Sequence, residues 1–132
     1  MIIQIDTQDA LPIYAQVRDQ IVLGIAAGRL EEGEALPSVR RLAADLGINF
    51  HTVGKAYTML CDEGYIAMDR RRGAVVARAM AGSEAFRSKL GRNLSLSAAE
   101  AVCHEMSGEE FLAFCAECFK NVKGENKKGE ET

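Results

Sequence analysis

The stretch from Leu36 to Val76 constrains the fold most, because helix start and stop signals follow one another along it at short intervals. Ser38 can cap the start of a helix, since its side-chain oxygen can accept a hydrogen bond from an unpaired backbone amide of the first turn. Gly47 can end that helix in a left-handed conformation. Asn49 offers the cap of a second helix, which we expect to end at Gly64. The pattern predicts two short helices joined by a tight turn.

The second of these helices separates apolar from polar positions, and a pair of strands follows it. Its apolar side chains recur at helical spacing and predict a buried face, formed by Val53, Ala56, Tyr57 and Leu60. The same period places other residues on or beside the solvent-facing side, namely His51, Gly54, Lys55 and Thr58. Ile66–Met68 and Ala74–Val76 are predicted to pair as a hairpin. Its loop contains Asp69, Arg70, Arg71, Arg72 and Gly73.

Two helices with a tight turn and a basic hairpin are the parts that one DNA-binding geometry requires. A helix fits the major groove of B-DNA, and the residues at its N-terminal end reach the base edges. The candidates for base contacts are Asn49, Phe50, His51 and Thr52. Ser38 and Arg40 start the preceding helix, so we expect them to contact phosphates through backbone amides and the arginine side chain.

Basic side chains concentrate on the predicted groove side, although the formal net charge of the chain is -3. They are Arg40, Arg41, Lys55, Arg70, Arg71 and Arg72. The arginines of the hairpin loop can neutralise phosphates or enter a narrow minor groove, and Gly73 allows a close approach of the backbone. The negative total argues against a protein that coats DNA without selectivity.

Each of these features also has an interpretation without nucleic acid. Paired helices occur in proteins that never bind DNA, and a run of three arginines is often a solvated turn. Their succession favours DNA binding, because a single docking geometry needs all of them. A winged-helix module that contacts another protein stays open as an alternative.

Several spaced motifs run through residues 10 to 77. They are Pro12–Val17, Gly28–Leu30 with Gly33, Leu36–Arg40, Asn49–Val53 with Ala56 and Tyr57, and Leu60 with Glu63–Ile66. Together they resemble the N-terminal domain of GntR-type bacterial transcription regulators. The resemblance implies a homodimer that binds a short palindromic operator. The short remainder resembles the YtrA-like subgroup, which implies a small helical dimerisation element and repression, near transporter genes, rather than activation.

Two positions depart from the pattern of that family. Many relatives carry proline after the asparagine, and other branches carry arginine at the start and middle of the second helix, where this chain has Phe50 and Gly54. The base contacts that the resemblance implies are therefore not carried over to these positions. Phe50 can touch a thymine methyl group or pack under the turn, and we favour packing. His51 and Thr52 match the family, although Thr52 can instead serve hydrogen bonding at the helix start.

Length and composition set the fold class. The chain has 132 residues, 48% of them hydrophobic, which suffices for one compact domain with a small appendage and excludes a large ligand-binding domain. We predict a mostly α chain with a small β-hairpin. Residues 1–78 form a winged helix-turn-helix domain, residues 79–122 a short two-helix dimerisation element, and residues 123–132 a disordered tail.

The N-terminal residues lead into the first of these parts. Met1–Asp6 is predicted as a short strand. A helix is expected from near Leu11 to Gly28, and Pro12 suits its first turn. Apolar residues recur along it at four-residue spacing, at Ile13, Val17, Ile21 and Ile25.

Beyond Ala79 the pattern predicts helices without strands, the second of them starting at a capping box, Ser107–Glu110. The apolar positions are Phe86, Leu90, Leu94, Ala98, Ala101 and Val102 in the first helix, and Phe111, Leu112, Phe114, Cys115, Cys118 and Phe119 in the second. Two helices cannot bury this surface on each other alone, so we expect a second copy to cover it, with the two-fold symmetry that a palindrome requires. Folding back onto the DNA-binding domain stays open, as does a break near Gly91.

The four cysteines raise a second class of function. Cys115 and Cys118 lie three residues apart, and Cys103 with His104 precede them, so a zinc site or a thiol redox switch is conceivable. A zinc knuckle usually places such a pair in a tight turn, whereas this pair belongs to a helix. We favour reduced core cysteines, like Cys61, and keep a metal- or thiol-responsive regulator as the alternative.

The sequence offers no sign of catalysis, of a cofactor or of a membrane segment. The two histidines lack a catalytic motif, and neither a Gly-rich phosphate loop nor a nucleophile signature is present. No apolar run approaches the roughly 20 residues that span a bilayer, and no signal pattern opens the chain. We therefore expect a cytoplasmic, sequence-specific DNA-binding regulator without enzymatic activity, with double-stranded operator DNA and a second copy of itself as partners.

Overall fold

The computed structural model describes residues 3–77 and 83–130, with the backbone alone for residues 125–130. The elements are α1 (Ile13–Ala26), α2 (Val39–Leu46), α3 (Phe50–Asp62), β1 (Ile66–Asp69), β2 (Gly73–Val76), α4 (Glu84–Cys103) and α5 (Gly108–Glu130). This order confirms a mostly helical chain with one antiparallel hairpin. The chain forms two compact units, one that contains α1 to β2 and one that contains α4 and α5 as far as Gly124.

The helix-turn-helix begins and ends at the predicted residues. The hydroxyl of Ser38 accepts a 3.1 Å hydrogen bond from the amide of Arg41, which satisfies one orphan donor at the start of α2. At the start of α3, the side-chain oxygen of Asn49 accepts a 2.8 Å hydrogen bond from the amide of His51. Between the two helices Gly47 adopts a left-handed conformation with φ 67°, which glycine adopts at the smallest cost.

One hydrophobic core unites α1, α2, α3 and the hairpin. Its largest fully buried side chains are Val17 and Ile21 of α1 with Val53 and Leu60 of α3. The four predicted residues of the inner face of α3 are all buried. Burial of one such aliphatic side chain contributes roughly 1.5–3 kcal/mol relative to an exposed position. The second helix of the pair is therefore anchored from beneath, and its outer face is left to solvent.

The hairpin pairs Ile66 with Val76 and Asp69 with Gly73. A third extended segment that was not predicted borders β2, because Ala35 forms an antiparallel bridge with Val75. The amide of Leu36 donates to the carbonyl of Ala74 at 2.8 Å, and the amide of Val76 donates to the carbonyl of Glu34 at 2.9 Å. β2 thus has partners on both edges, which accounts for the burial of three successive residues in it.

The N-terminal segment differs from the prediction of a short strand. Residues 3–6 form no strand, and residues 1–2 lie outside the described residues. The buried side-chain amide of Gln16 replaces a strand partner, because it accepts from the amide of Asp6 and donates to the carbonyls of Asp6 and Leu11, each at 2.9 Å. α1 begins at Ile13, after Pro12 at its cap position.

The second unit consists of α4 and α5. The hydroxyl of Ser83 caps α4, and that of Ser107 caps α5 by accepting from the amide of Glu110 at 3.1 Å. α4 is continuous through Gly91, where a break had stayed open. The turn between the helices contains Glu105 with φ 61°. α5 continues as helix to Glu130, whereas the sequence predicts a disordered tail from residue 123. The helix can extend into this polar segment because each residue added to an established helix gains one backbone hydrogen bond.

The apolar side chains of the second unit are largely exposed. No residue of α4 is buried, and between residues 83 and 124 the backbones of α4 and α5 approach each other closely at few points. The most exposed large apolar side chains are Leu96, Val102, Leu112, Phe114 and Phe119. Within the described ranges, none of the helices combines the length and the apolar content needed to cross a membrane.

Candidate nucleic-acid interface

Three side chains cluster where the N-terminal ends of α2 and α3 meet. The guanidinium carbon of Arg40 lies 5.4 Å from the centroid of the Phe50 ring. The rings of Phe50 and His51 are 4.1 Å apart between centroids, with an angle of 31° between their planes. All three residues are exposed. We call them the Arg40–Phe50–His51 cluster; it combines two groups that can donate hydrogen bonds with an apolar ring.

The other candidate residues of the two helices lie around this cluster. Ser38 and Asn49 are exposed, but their side-chain oxygens are engaged in capping. Thr52 is half-buried, and its amide donates to the carbonyl of Asn49 at 3.0 Å. Arg41 forms a 3.6 Å ion pair with Asp45 and keeps 75% of its side chain exposed. Such an exposed pair contributes little stability, so Arg41 is available to a ligand of higher charge.

Lys55 lies one turn further along α3, and its position depends on α1. Its ammonium group is 3.9 Å from the centroid of the Tyr14 ring, a cation–π contact. Lys55 is exposed and Tyr14 is half-buried. Tyr14 therefore orients a candidate DNA-binding cation, a role that the sequence analysis missed because the two residues lie far apart in the chain.

The three arginines at the tip of the hairpin differ in the contacts that they make. One carboxylate oxygen of Asp69 accepts hydrogen bonds from the amides of Arg71 at 2.8 Å and Arg72 at 3.1 Å, and these bonds lower the pKa of Asp69. The guanidinium of Arg72 donates to the carbonyl of Gly33 at 3.0 Å and lies 3.7 Å from Asp69. In residues 3–77, the side chains of Arg70 and Arg71 form no hydrogen bond or ion pair. Two of the three predicted cations are thus free for a ligand, and Arg72 holds the turn.

Gly73 follows these arginines and starts β2. It has φ 75°, and a Cβ atom added there would meet nothing within 4 Å. The backbone conformation therefore favours glycine, and the open space leaves room for a ligand to approach. Within the described residues no ring contact or hydrogen bond links the hairpin tip to the Arg40–Phe50–His51 cluster.

A buried frame fixes α3 beneath this surface. The hydroxyl of Tyr57 donates to the carbonyl of Pro37 at 2.7 Å, and burial raises the pKa of Tyr57. At the C-terminal end of α3, Arg18 of α1 forms two hydrogen bonds with Glu63, at 3.0 and 2.7 Å. Its hydrogen bond with Glu63 raises the pKa of Arg18, so the guanidinium stays charged across the physiological range. The middle and the C-terminal end of α3 are therefore held in place from below.

The cysteines do not assemble into a metal centre. Cys103 and Cys118 are exposed, and Cys61 and Cys115 are half-buried. Burial raises the pKa of Cys61, with a contribution from Asp62. Among residues 3–77 and 83–124, no three His, Cys, Asp or Glu side chains come close enough together to hold a metal ion. His104 instead has its Nδ1 atom 2.8 Å from the carbonyl of Glu100.

The segment from α1 to β2 matches a known family. Residues 13–76 match the family described as "Bacterial regulatory proteins, gntR family". The structure of YtrA from Sulfolobus acidocaldarius, a GntR-family transcription factor, is 41% identical in sequence, with a TM-score of 0.65 over 75% of this chain and 99% of that one. The chain belongs to the GntR family. Members of this family are DNA-binding transcription regulators rather than enzymes.

Another relative and two further solved structures are also similar to this chain. The transcriptional repressor YtrA of Bacillus subtilis (strain 168) is 41% identical over 75 residues, which are 57% of this chain and 58% of the relative. A transcriptional antiterminator from Listeria monocytogenes EGD-e has a TM-score of 0.85 at 27% identity over 92% of both chains. The AraR DNA-binding domain, solved with its operator ORX1, has a TM-score of 0.51 at 26% identity over 58% of this chain and 96% of that one.

The curated relatives are longer than the segment that they share with this GntR chain. The match covers 63% of the HTH-type transcriptional regulator Rv1152 of Mycobacterium tuberculosis and 58% of the YtrA repressor of Bacillus subtilis. What is shared with those relatives is the DNA-binding domain, whose predicted winged helix-turn-helix is confirmed. By contrast, the likeness to the Listeria structure covers 92% of this chain, so the fold of α4 and α5 also occurs in a solved structure.

Proposed function

We propose that this GntR protein is a homodimeric repressor that binds a palindromic operator, with the N-terminal end of α3 in the major groove. The observation that carries the proposal is the exposed Arg40–Phe50–His51 cluster at that end, above a helix whose inner face is fully buried. Such an arrangement supports base contacts, because the residues at the start of a recognition helix face the base edges. An operator complex of a related domain supports the same assignment.

Within this proposal the exposed residues divide by the contacts that they make. Phosphate contacts are assigned to the N-terminal end of α2, through Ser38, Arg40 and Arg41, and to Lys55 on α3. Asn49, His51 and Thr52 are the candidates for base contacts. The hairpin tip contributes Arg70 and Arg71 to phosphates or the minor groove, while Arg72 and Gly73 shape the turn.

The second unit supports the homodimer. Its large apolar side chains are exposed, and α4 and α5 approach each other closely at few points in the described residues, so an apolar surface is left in contact with water, which is unfavourable. A second copy of the same helices supplies an equivalent surface, and a two-fold axis makes the contact self-complementary. The same axis places two recognition helices on half-sites about one helical turn apart.

Sedimentation and DNA titration of a helix variant test the dimer. Leu112 is 68% exposed, so Leu112→Glu costs little within one chain but places a charge in the proposed interface. The variant should sediment as a monomer, and its affinity for a two-half-site duplex should fall to that for a single half-site. Asn121→Glu, at an exposed polar position of α5, is the matched control and should remain dimeric. A Leu112→Glu protein that stays dimeric and binds both duplexes like the parent would contradict the proposal.

A further inference from the structure

Phe50 is exposed, although the sequence analysis favours its packing under the turn. It is the first residue of α3, and 43% of its surface is exposed, against 4% for Tyr57 on the inner face of the same helix. It also lies outside the hydrophobic core. An exposed ring at the N-terminal end of a recognition helix is available to DNA, so the prediction of packing is wrong.

The ring of Phe50 is also held in one orientation. His51 lies against it at 4.1 Å between centroids, and the Arg40 guanidinium lies at 5.4 Å from its centre. Contacts on two sides reduce the side-chain freedom that DNA binding would otherwise remove. An ordered apolar ring between two hydrogen-bond donors is suited to recognise one apolar group on a polar groove floor.

The major groove contains only one such group. Base pairs present their edges there, as donors and acceptors, and the 5-methyl group of thymine is the apolar exception. Stacking on a base face would require unstacking of the duplex, which is unfavourable. The side chain of Phe50 therefore fits a thymine methyl group better than a base face.

We propose that Phe50 determines specificity, through contact of its ring with the 5-methyl group of one thymine in each operator half-site. The inference rests on the proposed operator binding. It chooses thymine contact over the packing that the sequence favoured for Phe50, and it names the base that this residue selects. The position that departs from the family pattern thereby becomes a source of selectivity particular to this chain.

Replacement of thymine by deoxyuridine tests the contact, because it removes only the methyl group. Each thymine of a selected operator is replaced in turn, in both half-sites, and the affinity of the parent protein is measured. One position should weaken binding by about fourfold per half-site, the value of one buried methyl-sized group. Phe50→Ala should bind the thymine and deoxyuridine duplexes equally, and Phe50→Leu should keep part of the preference.

Leu23→Ala is the matched control, since Leu23 is a large apolar residue of α1 with a similar exposure of 46%. It should keep the full thymine preference, and thermal unfolding should show all three variants folded. The inference is wrong if the parent binds its operator but tolerates every deoxyuridine. It is equally wrong if Phe50→Ala keeps the preference, which would leave Phe50 only orienting Arg40 and His51. Failure to select any operator would instead count against the proposed function.

Discussion

The hydroxyl of Tyr57 donates a 2.7 Å hydrogen bond to the backbone carbonyl of Pro37. Tyr57 belongs to the buried face of α3, and Pro37 directly precedes the cap of α2, so this bond sets the start of one helix against the middle of the other. Tyr57→Phe should lower the free energy of unfolding by about 1 kcal/mol. Urea denaturation measures the loss, and Tyr65→Phe, which changes a half-buried tyrosine outside this bond, should cost less.

The raised pKa of Tyr57 adds a pH dependence. A phenol with a raised pKa contributes stability that is fully present below the unfolded pKa of about 10 and is lost as the pH rises towards the folded value. Between pH 9 and pH 11 the parent should therefore lose more stability than Tyr57→Phe. Parallel pH profiles for the two proteins would contradict a buried phenol.

The contacts at the hairpin tip predict different effects for two neighbouring arginines. Arg71 has a free side chain, so Arg71→Ala should weaken DNA binding and reduce the slope of affinity against salt by about one, with unchanged stability. Arg72 holds the carbonyl of Gly33, so Arg72→Ala should lower the free energy of unfolding by roughly 0.5–1 kcal/mol, a value reduced by its exposure to solvent. Equal effects of both changes on stability would refute this division.

Substitutions at the start of α2 and at the start of α3 should have different effects on DNA binding. Arg40→Ala removes a proposed phosphate contact and should weaken binding to operator and random duplex alike. His51→Ala removes a proposed base contact and should weaken binding to the operator alone, which flattens the discrimination between the two. Titration of both duplexes checks this. A uniform loss for His51→Ala would mark His51 as a backbone contact.

Replacement of two different glycines by alanine should change the stability of the protein in opposite directions. Gly47 has φ 67°, so Gly47→Ala should cost about 1 kcal/mol through backbone strain, since nothing lies within 4 Å of the added Cβ. Gly91 lies within α4 and also has open space, so Gly91→Ala should stabilise that helix by about 0.5–1 kcal/mol. Circular dichroism during thermal unfolding measures both. If Gly91→Ala destabilises the protein, the space beside Gly91 is occupied by other protein atoms in solution.

Local signals predicted the helix-turn-helix well, because a cap such as Ser38 or Asn49 acts within three residues of itself. Long-range contacts were out of reach. Ala35 adds one bridge to β2 without any periodic pattern, and Tyr14 reaches Lys55 across the fold. Phe50 was misjudged because an apolar residue suggests burial, whereas the cluster with Arg40 and His51 forms at the surface.

The most direct test of the account is selection of bound sequences from a random duplex pool by the full chain, followed by titration of the best sequence at two salt concentrations. The account predicts a palindrome with half-sites about one helical turn apart, bound by two protomers, with an advantage over random duplex at both salt concentrations. A pool without enrichment, or binding that vanishes with salt and ignores sequence, would contradict it.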